Sequence, residues 1–276
     1  MPKVLHIVTD AGQYDDGTPT GLWLGELVHV YDQLESAGVE QVIASPLGGV
    51  SPIEPRSLGP LFLDAATKAR SEDAEFMRKL EHTVKLADVD LDEFDAINLP
   101  GGHGAMFDLP ESQDLANALS AMDARGGVIA SVCHGPAGVL GATDADGLPL
   151  VAGRRMTGYS WIEEVAAGVS GRVPFNLEEQ LKVLGAEYER AAVPFLPHAI
   201  ADGTFISGQN PASAKRVGAY LLEALGVQVA DAEETPGAAL ATIAKRPEAR
   251  YSLLGVLAVG ATALAATMLS RRGRRR

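Results

Sequence analysis

Cys133 is the single cysteine of this 276-residue chain, and it stands at the turning point of Gly126-Gly-Val-Ile-Ala-Ser-Val-Cys-His-Gly-Pro-Ala-Gly138. Residues 128–132 carry few polar groups and three β-branched ones, as expected of a parallel strand buried on both faces. Gly135 permits close backbone approach and Pro136 suits a first helical turn, so the thiol is expected on a sharp strand-to-helix turn. Such a turn exposes a nucleophile. The positive end of a following helix would favour the thiolate, and unpaired N–H groups beside it would hold an oxyanion. The competing role for this residue type is a buried structural cysteine.

Other residues can join that chemistry. Pro100-Gly-Gly-His-Gly104 follows a strand directly, but Phe107 stands where the third glycine of a dinucleotide fingerprint belongs. The run therefore reads as a tight turn offering the Gly102 N–H to an anion, or as glycines needed only for the turn. Glu26 lies at the edge of an apolar helical stripe, one turn from Leu22 and Val30. In water it is an ordinary carboxylate; buried, it would be protonated and able to donate a hydrogen bond to a thiolate. His134 follows the thiol, and a sharp turn permits adjacent side chains to face one site, which makes it a candidate base. His103 is expected to line the pocket. His6 reads as a core-strand residue and His29, His82 and His198 as surface or packing residues; no metal-ligand spacing joins them, and no metal or organic cofactor is expected.

The elements that must position these residues alternate. Residues 3–8 read as a strand, 21–37 as a helix, 41–45 as a strand, 46–70 as a Pro-, Gly- and Ser-rich insertion and 72–86 as a helix. Residues 96–99 form the next strand and 113–125 the helix leading to the strand that ends at Cys133. A central helix, short extended segments over 150–159, a helix over 177–184, a hairpin over 193–207 split at Asp202-Gly203, and a helix opened by Asn210-Pro211 complete the domain near Val229. The pattern implies an α/β, three-layer, flavodoxin-like sandwich around a mostly parallel sheet, with sites at the carboxyl ends of the strands. The loop after Leu99 and the turn at Cys133 share that edge.

Composition bounds the function. Hydrophobic residues make up 46% of the chain, enough for a substantial core, and a lone cysteine excludes an intramolecular disulfide. Eight basic residues and one acid lie from Lys245 onward, so residues 1–244 carry about −20 of the net charge of −13. An acidic body of that kind repels nucleic acid.

Five segments in order carry a resemblance: Thr20-Gly-Leu-Trp-Leu-Gly-Glu26, Pro100-Gly-Gly-His-Gly104 with Phe107-Asp108, Ala130-Ser-Val-Cys-His-Gly-Pro136, Thr157-Gly-Tyr-Ser-Trp-Ile-Glu-Glu164 and Ser207-Gly-Gln-Asn-Pro-Ala-Ser213. Across residues 3–227 the chain resembles the ThiJ/PfpI family of the class I glutamine-amidotransferase-like superfamily, in the branch of glutathione-independent glyoxalases (glyoxalase III) and heat-shock chaperones. The resemblance implies a nucleophile at Cys133, its partner at His134, an acidic residue at Glu164 or the adjacent Glu163, and Glu26 against the sulfur. It also implies oxyanion donors at the backbone N–H groups of Gly102 and His134. The activity implied is conversion of a 2-oxoaldehyde such as methylglyoxal to a 2-hydroxy acid, with a homodimer as the expected assembly. Alternatives within the same resemblance are a stress chaperone that binds unfolded clients and a cysteine-dependent deglycase, amidase or peptidase. A glutaminase would take its base from a later His-x-Glu, whereas His198 is followed by Ala199 and Ile200.

The tail raises a separate expectation. Residues 251–270 contain no charge, would span ~30 Å as a helix, and precede five arginines. After a linker over 230–250, this C-terminal apolar helix and the basic end at 271–276 point to a membrane-spanning or membrane-surface helix, with a partner-binding helix as the alternative, and the lone cysteine to a cytoplasmic catalytic domain. Residues 1–8 lack the features of a secretory signal, which agrees with that placement.

Overall fold

The computed structural model describes residues 1–227. In chain order these form β1 (Lys3–Ile7), α1 (Leu24–Ser36), β2 (Glu40–Ser45), α2 (Ala65–Glu72), α3 (Ala74–Glu81), β3 (Val84–Lys85), β4 (Ala96–Leu99), α4 (Ala105–Asp108), α5 (Gln113–Ala124) and β5 (Val128–Val132). Then follow β6 (Arg155–Met156), α6 (Trp161–Ala166), α7 (Leu177–Val183), β7 (Glu187–Tyr188), β8 (Ala199–Asp202), β9 (Phe205–Gly208) and α8 (Ala214–Ala224). A seven-stranded sheet runs β3-β2-β1-β4-β5-β9-β8, with every pairing parallel except β8 against β9. The central position of β4 and β5 explains why every one of their residues is buried, Asn98 and Ser131 included.

Alternate strand residues feed two cores, because side chains on a strand point to opposite faces. Leu5, Ile7, Ile97, Leu99 and Ile129 pack with Leu115, Leu119 and Met122 of α5. Val4, Ala96, Val128, Ala130 and Val132 pack instead with Val30 and Leu34 of α1 and with Val217, Leu221 and Leu222 of α8. Helices therefore cover both faces, and the carboxyl ends of β4 and β5 are left as the edge on which loops converge.

Three local expectations change. The helix expected over 72–86 is the shorter α3 followed by β3, while α2 occupies the end of the expected insertion; the Asp73 carboxylate accepts the backbone N–H groups of Glu75 and Phe76 and starts α3 afresh. The stretch 46–70, expected as an insertion, is tied to the sheet edge: Leu22 bridges Ile53, and the Glu54 N–H donates to the Leu22 carbonyl. After Cys133 the expected helix is a five-residue 3-10 helix, Gly135–Val139, in which tightly packed glycines replace the residues that would extend an α-helix.

The membrane expectation is corrected. Among the described residues no helix is long and apolar enough to cross a membrane. The linker at 230–250, the apolar helix at 251–270 and the basic end at 271–276 lie outside the described residues, so no described element carries the membrane attachment or the membrane-associated location.

Close approach is the constraint at the sheet edge. A Cβ built on Gly135 would lie 1.9 Å from the Leu99 carbonyl oxygen. Gly135→Ala is therefore expected to lower stability by about 1–3 kcal/mol through overpacking against backbone, read as a lower urea midpoint at unchanged m-value.

Candidate active site

The turn at Cys133 is built by the backbone. Cys133 has φ 60°, a left-handed conformation uncommon for a side chain with a Cβ, and His134 returns to φ −89°, ψ −6°. Hydrogen bonds hold both sides of the residue: its N–H donates to the Gly208 carbonyl at 2.8 Å, and its carbonyl accepts the Tyr159 N–H at 2.7 Å. The thiol ends up 2% exposed. Both sequence readings of this cysteine meet here, since it is buried and yet sits among polar groups.

His134 reaches the sulfur through its own ring. Cys133 Sγ and His134 Nδ1 are 3.2 Å apart, and His134 Nε2 lies 2.8 Å from Glu164 Oε2. An ionised carboxylate only accepts, so the Nε2 position carries the hydrogen and the Nδ1 lone pair faces the thiol. Glu164, in the first turn of α6, thus takes the place expected of Glu164 or Glu163. Glu163 points elsewhere, accepting from Ser160 N and Oγ, Phe195 N, Gln209 Nε2 and Asn210 Nδ2. It closes a capping box on α6 and ties the helix to the loop before β8 and to the turn after β9.

Glu26 is fully buried at the start of α1. Its Oε2 accepts the Gly101 N–H at 2.7 Å, its Oε1 has no hydrogen-bond partner among the protein's polar groups, and the carboxyl interacts with the Cys133 thiol. Gly102 has φ 104°, and a Cβ there would sit 2.2 Å from the Gly21 carbonyl oxygen, so both backbone shape and space require glycine. A Cβ on Gly101 would meet His134 N at 2.5 Å. The loop after β4 and the turn after β5 are therefore in direct contact, and among the described residues no acceptor takes the N–H of Gly102 or His134.

Surroundings divide the titratable groups. Burial pushes Glu26 up to about 8, against the opposing pull of the thiol and the Gly101 N–H. Burial also raises Cys133 well above the ordinary thiol range, reinforced by Glu26, Glu164 and Glu163. The expected helix-end lowering of the thiol pKa is thus reversed: a five-residue 3-10 helix is too short to offset desolvation and three carboxyls. Burial opposes ionisation of Glu164 too, but His134 and His103 outweigh it and hold the carboxyl well below the usual range.

His103, expected to line the pocket, is integral to the network. Its Nε2 lies 2.7 Å from Glu164 Oε1, its ring centroid is 4.1 Å from that of His134, and burial followed by His134 pushes it down to about 4. His103, His134 and Glu164 bring one ligating atom each within 4.8 Å of one another, the makings of a metal site by residue type. Here both Nε2 atoms are turned onto the Glu164 oxygens, which leaves hydrogen bonds where a metal would need lone pairs.

Sequence reasoning missed Tyr14, Glu54, Arg56 and Tyr159. Arg56 Nη2 donates to His103 Nδ1 at 3.0 Å and to the Tyr14 hydroxyl at 2.6 Å, while the Tyr159 ring lies 4.5 Å from that of His134. Tyr159 was within a matching segment and carried that signal; Glu54 and Arg56 lie in a segment with no periodicity or motif, and only the fold brings them to His103.

Residues 24–224 match the DJ-1/PfpI family. Glutathione-independent glyoxalase HSP31 of Saccharomyces cerevisiae is 32% identical over 232 residues, which cover 81% of this chain and 98% of that protein. Glyoxalase 3 of Candida albicans is 30% identical over 223 residues, covering 78% of this chain and 94% of that one. The crystal structure of glyoxalase III from Candida albicans has a TM-score of 0.75 at 30% identity, over 81% of this chain and 97% of its own. With the match spanning the sheet, the turn at Cys133 and the helix that carries Glu164, this chain belongs to the DJ-1/PfpI family.

Proposed function

We propose that the chain is a glutathione-independent glyoxalase that converts methylglyoxal or a related 2-oxoaldehyde to a 2-hydroxy acid, with residues 1–229 as the catalytic domain. The observation that carries the reading is a buried thiol 3.2 Å from His134 Nδ1, beside the buried Glu26 carboxyl, which burial pushes up to about 8. It supports a small substrate, since 2% exposure gives little room for a glycated side chain, a peptide or a client protein. The relatives named as glutathione-independent glyoxalase and as glyoxalase 3 support the same chemistry.

His134 Nδ1 takes the Cys133 proton as sulfur adds to the aldehyde carbon, and Glu164 stabilises the imidazolium through Nε2. The aldehyde oxygen, now an alkoxide, receives the N–H groups of Gly102 and His134 and then takes up a proton, giving a hemithioacetal. The hydrogen on that carbon moves as a proton to the adjacent carbonyl carbon through an enediol, with Glu26 and His134 the two groups able to carry it. The first carbon is thereby oxidised to a thioester and the second reduced to an alcohol, so no external oxidant or reductant enters. Water then cleaves the thioester, releasing the 2-hydroxy acid and restoring the thiol.

Four measurements follow. Purified protein is expected to form lactate from methylglyoxal without glutathione, and Cys133→Ala to abolish it; an inactive wild type whose aggregation-suppressing effect equals that of the variant would favour the chaperone reading instead. Glu164→Gln is expected to lower kcat by about 10²-fold or more through loss of base orientation. Glu163→Gln is expected to lose about 1–3 kcal/mol of stability by disturbing a multiply satisfied buried acceptor, with kcat within about twofold of wild type. For Glu26 the folded pKa, about 8, exceeds its ordinary value of 4.5, so its stabilising contribution is complete below 4.5 and is lost as pH rises through 8. Thermal midpoints of wild type should therefore fall across that window, and Glu26→Gln should flatten the decline; an identical slope in the variant would count against a buried, protonated Glu26.

A further inference from the structure

Arg56 sits outside the set that touches the thiol, yet its Nε and Nη2 groups bind two buried residues, Glu54 and His103. Nε and Nη2 donate to Glu54 Oε1 and Oε2 at 2.9 and 3.0 Å, and the Arg56 backbone N–H adds a third bond to Glu54 Oε1 at 3.1 Å. Glu54 is itself 1% exposed and also accepts the Thr20 hydroxyl at 2.8 Å. Nη2 also stands 2.6 Å from the Tyr14 hydroxyl and 3.0 Å from His103 Nδ1, so its two hydrogens are shared among three acceptors. An ion pair serving only as a surface clamp would have no need of an imidazole.

Hydrogen-bond polarity decides what this contact does. A guanidinium has donors only, so His103 Nδ1 must present a lone pair and its hydrogen must sit on Nε2. At the other end of the ring, 2.7 Å away, stands Glu164 Oε1, which as a carboxylate oxygen demands a donor. Both ends select the same neutral tautomer. The opposite tautomer would set two N–H groups against each other across 3.0 Å and a nitrogen lone pair against the carboxylate.

We infer that Arg56 is a positioning residue for the proposed reaction: by donating to His103 Nδ1 it locks His103 as a second N–H donor to Glu164, and so fixes the carboxylate that orients His134 toward Cys133. The inference rests on the functional reading above only for its kinetic consequence. Glu164 has two carboxylate oxygens, and with His103 on one and His134 on the other the group cannot rotate without breaking a bond at both. The groups that face His103 are Arg56, Glu164, Tyr14, His134 and Tyr159; those that face Glu164 are the two histidines. Among them the Arg56 charge also opposes protonation of His103, in keeping with a ring held neutral.

The experiment reads the tautomer directly. In protein labelled with 15N on histidine, long-range 1H–15N spectra, with the His103 signals assigned through His103→Gln, should give wild type a single Nε2–H form. The double variant Glu54→Gln/Arg56→Met removes both charges, so no buried carboxylate is stranded, and should populate the Nδ1–H form. Its kcat on methylglyoxal should fall about tenfold at a KM within about twofold of wild type, a fraction of the 10²- to 10⁴-fold that a positioned base supplies. Arg56→Lys keeps a charge and a donor and should retain the wild-type tautomer. An unchanged His103 tautomer in the double variant overturns the inference, and so does an unchanged kcat. Failure of wild type to turn over methylglyoxal would sink the functional reading alone, because the tautomer is measured in the resting protein.

Discussion

The loop that leaves β4 and the turn that leaves β5 can touch only because Gly101 and Gly135 carry no side chain. Their Cβ positions fall inside the van der Waals radii of His134 N and of the Leu99 carbonyl oxygen. That contact leaves the N–H groups of Gly102 and His134 without an acceptor among the described residues and delivers the Gly101 N–H to Glu26. Parallel neighbouring strands make it possible, since their carboxyl ends finish at the same edge. Remove the approach and the site loses its backbone donors and the bond that orients Glu26 together.

Two carboxyls of the same chemical type are driven apart by what surrounds them. Glu26 is enclosed by the apolar start of α1 with a single backbone donor, and burial pushes it up to about 8, which favours the neutral acid. Glu164 receives a ring N–H at each oxygen and remains ionised. This is the arrangement in which one acid donates and the other orients, obtained by environment alone. The neighbours Glu163 and Glu164 divide in the same manner by helical rotation. About 100° separates consecutive side chains, so one turns back to cap its own helix while the other faces the histidines.

Much of this was legible beforehand. The strand ending at Cys133 is observed as Val128–Val132, β4 as Ala96–Leu99, and the hairpin turns at Asp202-Gly203 as expected. Strand periodicity and turn residues act locally, so they can be read locally. For Glu26 the edge of the apolar stripe left two readings open, a solvated carboxylate and a buried acid, and the fold selects the buried one. What escaped was non-local: the raised thiol depends on burial first and then on carboxyls contributed by α1 and α6, and Arg56 reaches His103 from a segment with no pattern of its own. The membrane helix was read from an apolar run and a basic end, signals that describe composition without saying what the run packs against, and the described fold contains no element of that kind.

The left-handed backbone at Cys133 sets stability and reactivity against each other at a single position. A residue with a Cβ held there costs about 1–2 kcal/mol relative to a relaxed backbone, and the surrounding hydrogen bonds to Gly208 and Tyr159 must hold it in place. Glycine would relieve the strain and remove the sulfur in the same exchange. Alanine or serine would lose the thiol and keep the strain. No substitution therefore improves the fold at residue 133 while preserving the nucleophile, so any gain in robustness has to be found elsewhere in the chain.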